Sequence, residues 1–165
     1  MSHALIGSDV TSVLTTANIN TSGRGFRIGQ RLQTYDGKQY VWCKNLSSNA
    51  AYSVVQVDGA NYNIVGLTTT TAPTAEIVGV LPIAIASDEF GWVQVMGRTK
   101  IKVLGACAKN IILWTTSTAG SLDDATASTY AVLGINLLST NPSSTATALS
   151  AFLVNPQILK RAGTA

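Results

Sequence analysis

IVGVLPIAIASDEFGWVQVMGRTKIKVL, residues 77–104, is the stretch whose reading decides the fold. Val93, Val95, Ile101 and Val103 alternate with Gln94, Met96, Lys100 and Lys102. A period of two is the signature of half-buried strands, because successive side chains leave a strand on opposite faces. Gly97-Arg98 sits between the two alternating runs, and glycine at the first position of a two-residue loop predicts a type II′ hairpin turn. Upstream, Ile77–Ala86 is almost continuously apolar but is broken by Pro82. A proline has no N–H to give a central strand, so this segment is expected at an edge or with a bulge. The stretch specifies a sheet scaffold and no chemistry.

The flanking sequence extends the same pattern. Gln30–Tyr35 and Lys38–Lys44 enclose Asp36-Gly37, a strong short-range hairpin signal. Tyr52–Val57 and Tyr62–Leu67 enclose Asp58-Gly59-Ala60, a second hairpin loop. Thr68–Thr74 is a polar connector. Beyond Gly105, Asn110–Thr116 reads as a strand and Ser117–Ser121 as a turn. Asp123–Ser128 is too short for a stable helix alone but leaves room for one turn capped by Asp123 or Asp124. Tyr130–Leu138 and Leu149–Val154 are the last predicted strands, and Ser139–Thr147 between them is loop by composition. The expectation is an all-β, single-domain barrel or sandwich of about nine or ten short antiparallel strands. Residues 1–22, polar and without a sustained period, are expected to form a flexible N-terminal arm, with one short strand at most near Thr11–Thr15. Residues 23–157 then make the β domain and residues 158–165 a loosely held C-terminal tail.

Charge is scarce. Asp, Glu, Lys and Arg make up 12% of the 165 residues, about half the usual share, while apolar residues stand at an ordinary 46%. Ser, Thr, Ala, Asn and Gly fill the difference. Such a chain is not disordered, since disordered chains are charged and poor in β-branched residues. It fits a β protein with surface buried against other copies or partners, and equally a plain β domain with a threonine-rich surface. The net charge of +3 is too small to imply nucleic acid. Lys100 and Lys102 share one strand face, which is either a modest basic strip or a solvated face. Cys43 and Cys107 lie in apolar contexts with no CxxC, so they are expected as buried, reduced thiols with no metal. The N-terminus lacks the pattern of a signal peptide, and no stretch reaches the ~18 apolar residues that a membrane span needs. The sequons at Asn20 and Asn45 are therefore read as incidental, and the chain as made in a reducing cytoplasm, with no membrane partner.

Catalytic constellations are missing from the sequence. The one histidine, His3, lies in the arm, so a serine or cysteine nucleophile would have no imidazole base. The pairs Asp88-Glu89 and Asp123-Asp124 fall in turns, where acids usually cap backbone N–H groups. Gly23, Gly25 and Gly29 have the wrong spacing for a dinucleotide fingerprint. No catalytic residue, cofactor or metal is expected. Trp42, Trp92 and Trp114 admit an alternative, a receptor- or glycan-binding module of a phage head or tail fibre, although aromatics inside strands ordinarily serve the core.

The order of the hairpins carries a resemblance. RIGQRLQTYDGKQYVWCKN, the FGWVQVMGRTKIKV segment, ILWTTSTAGSL and the Gly-Ile-Asn-Leu strand, together spanning about residues 25–157, resemble tailed-phage virion proteins, in particular capsid decoration (cement) proteins. The resemblance implies an all-β fold, no enzyme activity, and a place on the outside of an icosahedral head as a homotrimer that bridges major capsid protein subunits. Capsid contacts are then expected from residues 1–28 and nearby loops, with Leu5, Ile6, Val10, Val13, Leu14, Arg24 and Arg27 as the candidate binding residues. An arm that orders on docking loses affinity to that ordering, yet it can reach across subunit boundaries.

Overall fold

The computed structural model describes residues 10–17, 26–126 and 130–160. The chain is all-β, as its alternation predicts. Ten strands join one sheet: β1 (Arg31–Gln33), β2 (Gln39–Asn45), β3 (Val54–Val57), β4 (Asn63–Gly66), β5 (Ile77–Val80), β6 (Phe90–Val103), β7 (Leu113–Thr115), β8 (Leu122–Asp123), β9 (Tyr130–Leu137) and β10 (Thr147–Lys160). The sheet closes on itself, and β6 is the strand on which it closes. The first half of β6 pairs with β2 from Phe90 to Met96 and with β5 at Gln94. Its second half pairs with β10 from Met96 to Val103 and with β8 at Val103. With β2–β4, β4–β3 and β3–β5 on one side, and β10–β9, β9–β7 and β7–β8 on the other, the pairings trace two closed circuits that share β6. Closure removes most of the open edges that would otherwise template pairing with other chains, and β1, paired with β2 alone, is left at the margin.

The hairpin predicted at Gly97-Arg98 is absent, and this is the main correction. Gly97 has a φ of +93° but lies inside one continuous strand. A positive φ at glycine serves a hairpin turn or an in-line kink equally well. Partners decide between them: Met96 is paired on one side with Gln39 and on the other with Val154. The buried Gln94 secures the kink, its Nε2 donating to the Met96 carbonyl at 3.1 Å and the Arg98 carbonyl at 2.9 Å.

Other boundaries move for local reasons. β5 stops at Val80, two residues ahead of Pro82, which removes the donor a longer strand would need. Leu122-Asp123 is a strand pairing with Trp114 and Thr115, not a helical turn. The tail is strand up to Lys160: β10 runs through a buried Pro156, and Gln157–Lys160 pair with Leu133–Tyr130 of β9 beyond a register shift. The two expected hairpins are present. Gly37 supplies a φ of +79° at the β1–β2 turn, and β3 and β4 pair antiparallel around Asp58.

Three apolar clusters fill the molecule. One, with Val41, Cys43, Val55, Ile64, Val93 and Val95, belongs to the β2–β6 circuit. A larger one joins Ile101, Val103, Leu122, Leu137 and Leu153 to Val54 and Val80, so the outer side of β3 and β5 packs against the second circuit. The third is aromatic and involves Tyr40, Trp42, Phe90 and Trp92.

Candidate interaction surface

The candidate residues of the N-terminal segment divide into two groups. Leu5, Ile6 and Arg24 lie outside the described residues. Val10, Val13 and Leu14 are partly buried on this chain's own barrel: Val10 and Leu14 against the aromatic cluster, Val13 against the β2–β6 cluster. A β-bridge ties the segment to β6, Leu14 N–H donating to the Phe90 carbonyl at 3.0 Å and Phe90 N–H to the Leu14 carbonyl at 2.8 Å. The Thr16 hydroxyl reaches the Asp88 carbonyl at 3.4 Å. Arg27 is exposed at the turn before β1, where its carbonyl accepts the Gln30 N–H. The short strand expected near Thr11–Thr15 is thus one bridged residue. Its three valine and leucine side chains cover an apolar face.

Beneath it, Phe26 stacks edge-on to Trp42 with centroids 5.1 Å apart and lies 4.7 Å from Trp92, while the two indoles cross at 5.1 Å. Trp42 is 0% and Trp92 1% exposed, so neither offers a ring face to a sugar. Of the three tryptophans only Trp114, half-buried on β7, retains any access.

Both acid pairs are used structurally at their turns. Asp88 forms an ion pair with Lys44 at 2.8 Å, and Glu89 accepts the Ala86 N–H at 2.9 Å. Asp124 accepts the Ala108 N–H at 2.8 Å, tying the loop after β6 to β8. Asp123, Asp124 and Cys107 converge within 4.8 Å, a grouping that no sequence motif announced. Burial and the neighbouring carboxylates push the Cys107 thiol up to about 11, and burial raises Asp123 above its ordinary value. A protonated thiol is a poor ligand, so metal binding there would have to displace a proton. Cys43 is buried too, its pKa raised by desolvation, and both cysteines are free.

The surface that sequence reasoning missed lies on the outward side of β6, β9 and β10. Along β10, Ala151 and Leu153 point into the core while Phe152 (41% exposed) and Val154 (53%) point out. Phe152 sits opposite Arg98 on β6 and Asn136 on β9, and Val154 opposite Met96. Leu133 and Leu159 are exposed further along the same strands. A groove of about 480 Å³ runs between Phe152, Met96, Gly97 and the Asp36–Lys38 turn. The alternation of SAFLV, residues 150–154, was the available signal, but it reports two faces without saying which one remains uncovered.

Fold and surface together define an all-β barrel protein with a docked N-terminal segment and an apolar outer sheet face. No protein-family model matches the chain, and no curated protein matches it.

Proposed function

We propose that this chain is a structural virion protein that binds the outside of an icosahedral phage capsid and stabilises it by bridging major capsid protein subunits. The observation that carries the reading is the exposure of Phe152, Val154, Leu133 and Leu159 on a closed barrel with only 12% charged residues. Large apolar side chains grouped on one sheet face mark a surface that functions when covered. The hairpin order resembling decoration proteins supports the same reading. In this proposal the protein is non-enzymatic, needs no cofactor, and assembles as a homotrimer on the particle. Many weak contacts per copy then add through effective concentration. Quantitative mass spectrometry of purified virions tests it. Copy numbers in the hundreds are expected, and a few copies per particle would point instead to a fibre or tail component.

A further inference from the structure

We infer that the outward face of β6 and β10 is the docking surface for an acidic protein partner, with Phe152 as its apolar centre; this rests on the assembly role proposed above. Arg98, Lys100 and Lys102 project from alternate positions of β6, so their side chains follow one another along one face at about 6.6–6.8 Å, two strand residues apart. On β10 the residues opposite them are Phe152, Ser150 and Ala148, which are short or apolar. No Asp or Glu occurs anywhere in β6, β9 or β10. Among the described residues, none of the three cations is in an ion pair. The Nζ of Lys100 lies over the Tyr52 ring, 5.7 Å from its centroid.

Asp36 lines the groove with Arg98 and Phe152, and it is held by Lys38 at 2.5 Å. That pair cancels itself and leaves the stripe positive. A molecule with a formal charge of only +3 thus places three unpaired cations in one row. Self-pairing of this face across a two-fold axis would set like charges against each other, which is destabilising, so its occupant is not the same face of a second copy. The exposed phenylalanine and valine beside the row distinguish a protein partner from a bare phosphate backbone. An aromatic anchor surrounded by polar contacts is how a protein interface concentrates its affinity, and the cationic rim governs encounter rate and salt dependence.

The experiment is cosedimentation with shells assembled from the major capsid protein encoded alongside this chain, at 50 and 500 mM NaCl. Wild type should bind at low salt and weaken at high salt, since exposed charges are screened within a Debye length of about 10 Å at 0.1 M. The triple substitution R98Q/K100Q/K102Q should lower affinity at least tenfold at low salt and flatten the salt dependence. Phe152→Ser should lower it about 30-fold, the scale of an interface anchor. Thermal melts check that the variants fold, and the exposed single change Arg98→Gln keeps the test standing if the triple variant does not. Wild-type binding unaffected by Arg98→Gln and Phe152→Ser would overturn this face while leaving the capsid role intact. Failure of wild type to bind shells at either salt would overturn both. Retention on single-stranded oligo-dT that is lost in R98Q/K100Q/K102Q, without shell binding, would reassign the stripe to nucleic acid and overturn the protein partner.

Discussion

Substituting Gly97 with alanine tests the central claim about the fold, that β6 is one kinked strand shared by two circuits. The glycine has a φ of +93°, and a side chain held there costs about 1–3 kcal/mol in backbone strain. A Cβ at this position would also lie 2.8 Å from Lys38 Cγ and 3.1 Å from Lys38 Cα. The first atom can swing away, but the second belongs to the backbone beside the β1–β2 turn, and forced overpacking of this kind adds about 1–3 kcal/mol. The expected loss is therefore roughly 2–6 kcal/mol, the sum of the two effects. Gly37→Ala provides the control: its φ is +79°, but nothing lies within 4 Å of its Cβ, so it measures strain alone. Urea unfolding followed by tryptophan fluorescence reads both. With an m-value of about 1–3 kcal/mol/M, a 3 kcal/mol loss moves the midpoint by about 1–3 M, and Gly97→Ala should shift it further than Gly37→Ala. Gln94→Met completes the set. It removes the two bonds to the Met96 and Arg98 carbonyls, and leaving a buried acceptor unpaired costs about 1–3 kcal/mol. If Gly97→Ala and Gln94→Met both stay within about 0.5 kcal/mol of wild type, the range of ordinary surface changes, the kinked strand is refuted.

Four further outcomes are expected. Leu153→Ala, in the larger core cluster, should destabilise by about 2–5 kcal/mol in the same urea assay, whereas Val154→Ala one residue on should cost less than about 1 kcal/mol. With the Cys107 thiol at about 11, only about one part in a thousand is thiolate at pH 8, so a thiol reagent should label neither cysteine in the native protein and both after denaturation. Asp58 is held below the usual carboxylate range, chiefly by the Asn61 side chain, so its contribution to stability is present above its unfolded pKa and is lost as pH falls through the folded one; Asp58→Ala should lower the melting temperature at pH 7, with the difference shrinking as the pH is taken down through the acid range. Asp123 is shifted the opposite way, so it favours folding only while protonated and that contribution is lost as pH rises; Asp123→Asn should raise the melting temperature at pH 7, with the gain gone at pH 3.

The N-terminal segment raises a question of energetics that the sequence alone left open. Removal of residues 1–17 would strip Val10 and Leu14 from the aromatic cluster and Val13 from its neighbour. A fully buried side chain of this size is stabilised by about 1.5–3 kcal/mol, and partly buried ones by less. The two-bond bridge at Leu14–Phe90 adds to this, and against both stands the entropy of ordering the segment, about 1–2 kcal/mol per residue. On these contacts alone, gain and cost are of similar size. Val10 and Leu14 thus cover the cluster that holds Trp42 and Trp92, while Val13 covers the neighbouring β2–β6 cluster.

What was legible in the sequence is what short-range physics determines. The alternation from Val93 to Val95 and from Ile101 to Val103 placed those residues inside, and all four are buried. Asp36-Gly37 specified its hairpin because a positive φ and a short polar side chain suit few other conformations. Gly97 was misread because its positive φ is compatible with two structures, and the choice rests with residues 39 and 154, far away in the chain. Two-residue β8 has too little length for any period, and only its neighbours Trp114, Thr115 and Val103 make it a strand. The outward face was hidden for a related reason. Along β10 the alternation through Phe152 and Val154 breaks at Asn155, whose φ is +42°, and resumes beyond Pro156 with the register shifted. A strict period of two carried through residues 149–159 would put Leu149, Leu153, Gln157 and Leu159 on one face. The bulge instead turns Gln157 and Leu159 outward, into line with Phe152 and Val154. Two runs that each look like half of a core strand become, across that bulge, one apolar outer surface.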